Sequence, residues 1–221
     1  MDAPDRDADA RRLSARALAD DEPTGWFEPL YAQARAGSAI VPWDRGAPNA
    51  MLVAWVEAGR LPSTARTALV VGCGPGRDSE FLAGQGLRTT AFDISPTAVT
   101  LARERHPESS VDYTVADLLA LPADWQGRFD LVLESHNVQA LPASVRGRAI
   151  AAIAPLVAPG GTLLVLAAAR DDGPEPDGPP WPLTRAEVDA LGAGLETGQV
   201  ERVPDAADAT ISRWRAQFRR G

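Results

Sequence analysis

The chain has 221 residues, enough for one domain with a full-sized core. Hydrophobic residues make up 45% and charged residues 24%, a globular composition, and a net charge of −8 argues against nucleic acid as the main partner. The single cysteine, Cys73, excludes an intrachain disulfide and a cysteine-cluster metal site, so no metal is expected.

Taken from the start, Met1-Asp-Ala-Pro-Asp-Arg6 is acidic and lacks the apolar centre of a signal peptide. No apolar run has the length needed to span a bilayer. The expectation is a cytoplasmic protein with no membrane partner. Residues 1–23 are dense in Asp and Arg, with Leu13, Ala17 and Leu18 at helical spacing. They read as a weak helix or a flexible, solvated arm, and the arm is the reading preferred. A domain follows over 24–221, and its first part, 24–62, reads as a helical cover. This part holds Trp26, Phe27, Tyr31, Trp43 and Trp55. Pro42-Trp43-Asp44-Arg45-Gly46-Ala47-Pro48 is loop chemistry. Met51, Leu52, Trp55 and Val56 share one helix face, which Gly59 and Pro62 end.

From Thr67 the pattern alternates between strand and helix. Ala68–Val71 is strand 1, and a helix opens at Asp78. Thr89–Asp93 is strand 2. Ser95-Pro96 caps the next helix, with proline at its first turn. Val111–Val115, Phe129–Leu133 and Thr162–Ala167 are strands 3, 4 and 5, with a helix over Ser144–Leu156 and a turn at Pro159-Gly160-Gly161. The long Asp-, Gly- and Pro-rich loop over 170–182 ends in Trp181-Pro182 and reads as a substrate-side element. Thr184-Arg-Ala-Glu187 fits a capping box, Gly198–Val203 a sixth strand and Thr210–Arg220 a closing strand. On that last strand Arg213, Arg215 and Arg219 form one face, read as solvated. The expected fold is α/β: a Rossmann-like, doubly wound, mainly parallel seven-stranded sheet with an N-terminal helical cover.

In such a sheet ligands bind at the carboxyl ends of the strands. Strand 1 there delivers Gly72, Gly74 and Gly76, strand 2 Asp93, the turn after strand 3 Asp117, and strand 4 Glu134. Asp93 is placed to accept hydrogen bonds from ribose hydroxyls, each charge-assisted bond worth about 1.5–3 kcal/mol. Asp117 serves either as a turn cap or as an acceptor for an adenine amino group. Cys73 reads as a packed residue of the turn and not a nucleophile. The spacing Gly72-Cys-Gly74-Pro-Gly76-Arg77 breaks the Gly-x-Gly-x-x-Gly pyrophosphate fingerprint by one residue. A ribose ligand without phosphate suits it better. The acids would repel phosphate and tolerate a cationic nucleoside, which points to S-adenosylmethionine (SAM).

Val70-Val-Gly-Cys-Gly-Pro-Gly76, Phe92-Asp93-Ile94-Ser95, Ala116-Asp117-Leu118, Phe129-Asp-Leu-Val-Leu-Glu134 and Leu156-Val-Ala-Pro-Gly-Gly161 together resemble the ordered motifs of class I SAM-dependent methyltransferases. The resemblance adds Ile94 and Leu118 to the cofactor set and implies a transferase acting on a small molecule. Val41-Pro-Trp43-Asp-Arg-Gly46-Ala-Pro48, Gly178-Pro-Pro-Trp-Pro182 and Arg213-Trp214-Arg215 further resemble the thiopurine, thiol and halide methyltransferase group. That likeness implies that Trp43 covers the cofactor, that the acceptor is a thiol, and that Trp26, Tyr31 and Trp181 help enclose a flat or apolar substrate. The run Glu134-Ser-His136-Asn137-Val-Gln139 departs from the group and is closer to general small-molecule methyltransferases. A thiol acceptor needs no strong base, whereas a hydroxyl acceptor needs one, and His136 is the imidazole at a strand end. O- or N-methylation, a dehydrogenase on a similar sheet, and a non-catalytic SAM-binding protein are the alternatives left open.

Overall fold

The computed structural model describes residues 5–205 and 208–221, so the first four residues of the N-terminal sequence discussed above lie outside the described residues. The chain order is α1 (Ala8–Ala19), α2 (Phe27–Arg35), α3 (Ala50–Glu57), β1 (Thr67–Val71), α4 (Arg77–Gly84), β2 (Arg88–Asp93), α5 (Pro96–Arg105), β3 (Asp112–Val115), β4 (Phe129–Ser135), α6 (Ala143–Ile153), β5 (Val157–Ala168), α7 (Arg185–Leu191), β6 (Glu196–Pro204) and β7 (Ser212–Arg219). Among the described residues the strands form one seven-stranded sheet in the order β3-β2-β1-β4-β5-β7-β6. It is a mixed sheet. β1 to β5 pair in parallel, and β7 runs antiparallel to both β5 and β6.

Strand alternation explains the two cores. Leu69 and Val71 of β1 face one cluster with α1, α2, α6 and α7, while Ala68 and Val70 face a second with α3 and α4. A parallel sheet covered on both faces needs this continuous apolar run. Each fully buried leucine in it contributes roughly 1.5–3 kcal/mol through its removal from water.

Three sequence expectations change. Residues 8–19 are not a solvated arm but helix α1, whose Ala10, Leu13, Ser14 and Ala17 are buried against the domain. The apolar residues at positions 10, 13 and 17 are spaced for one helix face, and charge density outside that face hides the pattern. The last strand does not close the sheet: β7 is interior, and β6 is the edge. Two of its arginines are accordingly paired, Arg213 with Asp205 at 2.7 Å and Arg215 with Glu201 at 2.9 Å, while Arg219 is exposed as expected. The glycine pair at 160–161 lies within β5, where the pairing to β4 shifts register between Phe129 and Leu131.

Sheet order reverses at β1, which lies between β2 and β4. The crevice beyond the carboxyl ends of these strands is the expected ligand position for an open α/β sheet.

Candidate active site

Two adjoining cavities open there. The first is lined by Thr24, Phe27 and Tyr31 from the cover, by Phe92 and Asp93 at the end of β2 and Ile94 beyond it, by residues 116–119 after β3, and by Ser135 at the end of β4 with residues 136–137 beyond it. Its wall is largely apolar with a few fixed polar groups, as small-ligand sites are. The second contains Arg45, Asn49, Cys73, Arg77, Asp78, Pro179, Pro180, Asp205 and Arg213. Trp43, Gly72, Ser135, His136 and Ala140 belong to both and form the partition.

Of the cofactor residues expected from sequence, Trp43, Gly72, Asp93, Ile94, Asp117 and Leu118 line the first cavity, as does Tyr31. Asp93 is 5% exposed. Its Oδ2 accepts from Gly74 N and its Oδ1 from Ser95 N, both at 2.9 Å. The carboxylate thus ties the glycine turn to the end of β2 and keeps lone pairs turned to the cavity. Burial lifts its pKa to about 6, opposed by the amide donors. Ser95 performs the helix capping, accepting from Ala98 N at 3.0 Å. Asp117 is the turn cap that the sequence offered, its Oδ1 accepting from Leu119 N at 2.8 Å, and the residue also lines the cavity.

The glycines differ in role. Gly72 has φ of +60° and lies under Asn137, whose side-chain amide a Cβ would overlap. Gly74 and Gly76 are on neither wall. A Cβ at Gly76 would run into the Tyr113 hydroxyl, so that glycine serves packing. Cys73 lines the second cavity, and burial followed by the Asp93 charge keeps it a protonated thiol.

Three further expected residues lie off the cavity walls. Glu134 is fully buried, its Oε1 accepting from Asn137 N and Val138 N at 2.8 and 2.9 Å. It shapes the loop after β4 rather than facing a ligand. Its Oε2 has no partner among the described residues, and burial raises the carboxyl to about 7. Trp26 is a core residue, stacked on Phe27 at 4.1 Å and edge-on to Trp43 at 6.1 Å. Trp181 is 5% exposed, with the Arg146 guanidinium 6.0 Å from its ring centre. Both tryptophans hold elements that line the cavities and touch neither.

His136 occupies the partition with a left-handed backbone, φ +61°. The residue is half-buried, yet its Nε2 is sealed and without a partner among the described residues. Burial, and then the charges of Arg213 and Arg45, press its pKa down to about 4, so the imidazole is neutral at neutral pH. Sequence reasoning missed Ser135 and Asn137, which the strand-end rule would have found beside His136. It also missed Thr24, Phe27 and Leu141, which carry no local signal. Arg77, the first residue of α4, turns a sealed, unpartnered Nε beside the second cavity. Among the described residues no group of three or more His, Cys, Asp or Glu could hold a metal ion.

The family described as a methyltransferase domain matches residues 68–161. A ubiquinone biosynthesis O-methyltransferase from Xanthomonas campestris pv. campestris is 36% identical over 131 residues, covering 56% of this chain and 54% of the relative. The chain therefore spans about half the length of that relative. A probable thiol methyltransferase 2 of Arabidopsis thaliana is 29% identical over 187 residues, 82% of this chain and 77% of the relative. A solved chain reported for the conversion of a disulfide bond into a thioacetal group during echinomycin biosynthesis superposes with a TM-score of 0.68 at 25% identity, covering 87% of this chain and 92% of its own. Other solved chains of this fold hold S-adenosylhomocysteine. The matched span and the sheet order show what residues 68–161 are similar to: a methyltransferase domain.

Proposed function

We propose that this chain transfers the methyl group of SAM to a small-molecule thiol. The observation that carries the reading is the partition. A mostly apolar cavity adjoins a second cavity through Gly72, Ser135 and His136. A donor on one side and an acceptor on the other meet there with water excluded, and alignment of this kind supplies much of the rate in a displacement reaction.

The residues present fit the cofactor. Asp93 would hold the ribose, Asp117 the adenine amino group, and Trp43 and Tyr31 would cover the ring system. When bound, SAM supplies an electrophilic methyl on a sulfonium. The chain positions a nucleophile in line with it and shields the pair from solvent. Trp43 turns an aromatic edge and face toward both cavities, and a cation beside such a ring gains about 0.5–2 kcal/mol.

The thiol reading is supported by the likeness to the Arabidopsis thiol methyltransferase and to the chain reported for disulfide conversion. It is also supported by chemistry. A thiol is partly ionised at neutral pH, and an imidazole held near pKa 4 is too weak a base to deprotonate an alcohol efficiently.

A panel of thiols, phenols and amines, incubated with methyl-labelled SAM, tests this. The expected result is label transfer to thiols first. SAM binding with no transfer to any acceptor would replace the enzyme reading with a binding protein. Transfer to phenols or amines alone would replace the thiol.

A further inference from the structure

The second cavity has more cation than it uses. Arg45 is exposed at its lip and makes no side-chain hydrogen bond or ion pair among the described residues. Arg213, from β7 on the opposite wall, gives its Nε to Asp205 at 2.7 Å, while its terminal nitrogens have no partner among the described residues. Both arginines line the second cavity together with His136, and their charges disfavour its protonation.

The cavity also contains acids, and these are engaged. Asp44 pairs with Arg105 at 2.8 Å, Asp78 accepts from Asn49 N at 2.7 Å, Asp205 takes Arg213 Nε, and Asp7 lies 3.9 Å from Arg11. Burial further biases Asp78 toward its neutral form. In an acidic protein, two guanidiniums left partly unpaired beside a half-buried imidazole need an anion to complete them. A guanidinium fork matches a carboxylate in two-point geometry.

We propose that the second cavity recognises an acceptor carrying a permanent carboxylate, held between Arg45 and Arg213, with the nucleophile directed to the His136 partition. The wall opposite is Trp43 with Pro179 and Pro180, which suits a flat ring between the carboxylate and the nucleophile. This rests on the methyl-transfer reading above, and it adds the charge of the substrate.

The test uses the full chain loaded with S-adenosylhomocysteine, so that binding is read without turnover. Calorimetric titration compares 4-mercaptobenzoate with its uncharged isostere 4-mercaptobenzamide. The expected preference for the carboxylate is at least tenfold. In R45Q that preference should shrink to less than threefold. Arg45 is exposed and unpaired, so this variant should fold, and its S-adenosylhomocysteine affinity reports that it has. R213Q is the second variant and should show the same collapse. Equal affinity for the two ligands in the unsubstituted chain, or an undiminished preference in R45Q, would overturn the proposal. Carboxylate-selective binding without methyl transfer in the separate panel would overturn the enzyme reading and leave this one standing. Methyl transfer without carboxylate preference would do the reverse.

Discussion

The indole N–H of Trp43 donates to the Tyr31 hydroxyl at 2.7 Å, joining the Trp-Asp loop to α2 directly above the first cavity. Burial, and then the Asp93 charge, keep that phenol protonated, so it is a dependable acceptor. Y31F leaves a buried indole N–H without a partner and frees the loop. The cost of an orphaned donor is about 1–3 kcal/mol, part of which will appear as weaker SAM binding. Calorimetry on Y31F should give a dissociation constant raised about fivefold or more. An unchanged constant would mean that packing on Trp26 and Phe27 and the Asp44–Arg105 pair hold the loop without this bond.

Glu134 gives a pH dependence whose sign is fixed by its burial. Its carboxyl rises from 4.5 to about 7 in the fold. Between those values the folded chain holds a proton that the unfolded chain has released. Its contribution is therefore complete below pH 4.5 and is lost as pH rises through 7. E134Q keeps an oxygen for the amides of Asn137 and Val138 and carries no charge. In the cofactor-free protein it should be more stable than wild type at pH 8, by on the order of 3 kcal/mol, with the difference vanishing near pH 4.5. Denaturant titrations at the two pH values measure this. A variant less stable at both would show that the charge is compensated in the fold.

His136 is expected to matter little as a base. Asn tolerates its left-handed backbone, so H136N removes the imidazole without forcing the loop. An imidazole held near pKa 4 is poorly matched to neutral pH, so kcat should fall less than about fivefold with a thiol and with a phenol alike. Steady-state kinetics on the two acceptors measure this, and a loss of about a hundredfold on the phenol would make His136 a working base.

Arg146 is the anchor of the 170–182 loop. It is 3% exposed; its Nε donates to Leu141 O at 2.9 Å and its Nη1 binds Glu187 at 2.8 Å and also Glu175. R146M leaves two acids facing a vacated, mostly buried site, at about 3–5 kcal/mol. Chemical denaturation should show that loss, and limited proteolysis should cut first between residues 170 and 182. Full stability would mean the loop is held by Trp181 packing instead.

Much of the site was readable in the sequence because strand ends and glycine turns are local. Gly72, Asp93, Ile94, Asp117 and Leu118 each follow from a short apolar run and the residue that stops it, and they meet because parallel strands place their ends together. What the sequence could not supply is depth. Glu134 and Asp93 occupy equivalent strand ends, yet one bends inward to staple a loop and the other lines the cavity, a difference set by the three residues after Glu134. Trp26, Tyr31 and Trp43 look alike in a sequence. Only tertiary packing decides that Trp26 is the backing of Trp43 and that Tyr31 is its hydrogen-bond partner. The charge-rich helix α1 was lost for the opposite reason: its apolar stripe is narrow, and its burial comes from the domain it lies on.

That helix has a consequence for the order in which the two cavities can form. The first cavity draws its wall from residues 24–141, whereas the second needs Asp7 and Ala10 of the α1 region together with Asp205 and Arg213 beside and on β7. Asp7 and Arg213 are about two hundred positions apart, and closing so long a loop is slow as well as entropically costly. A folding chain can therefore have the first cavity before it has the second, and a ligand of the first cavity present during refolding would gather on that half-built domain.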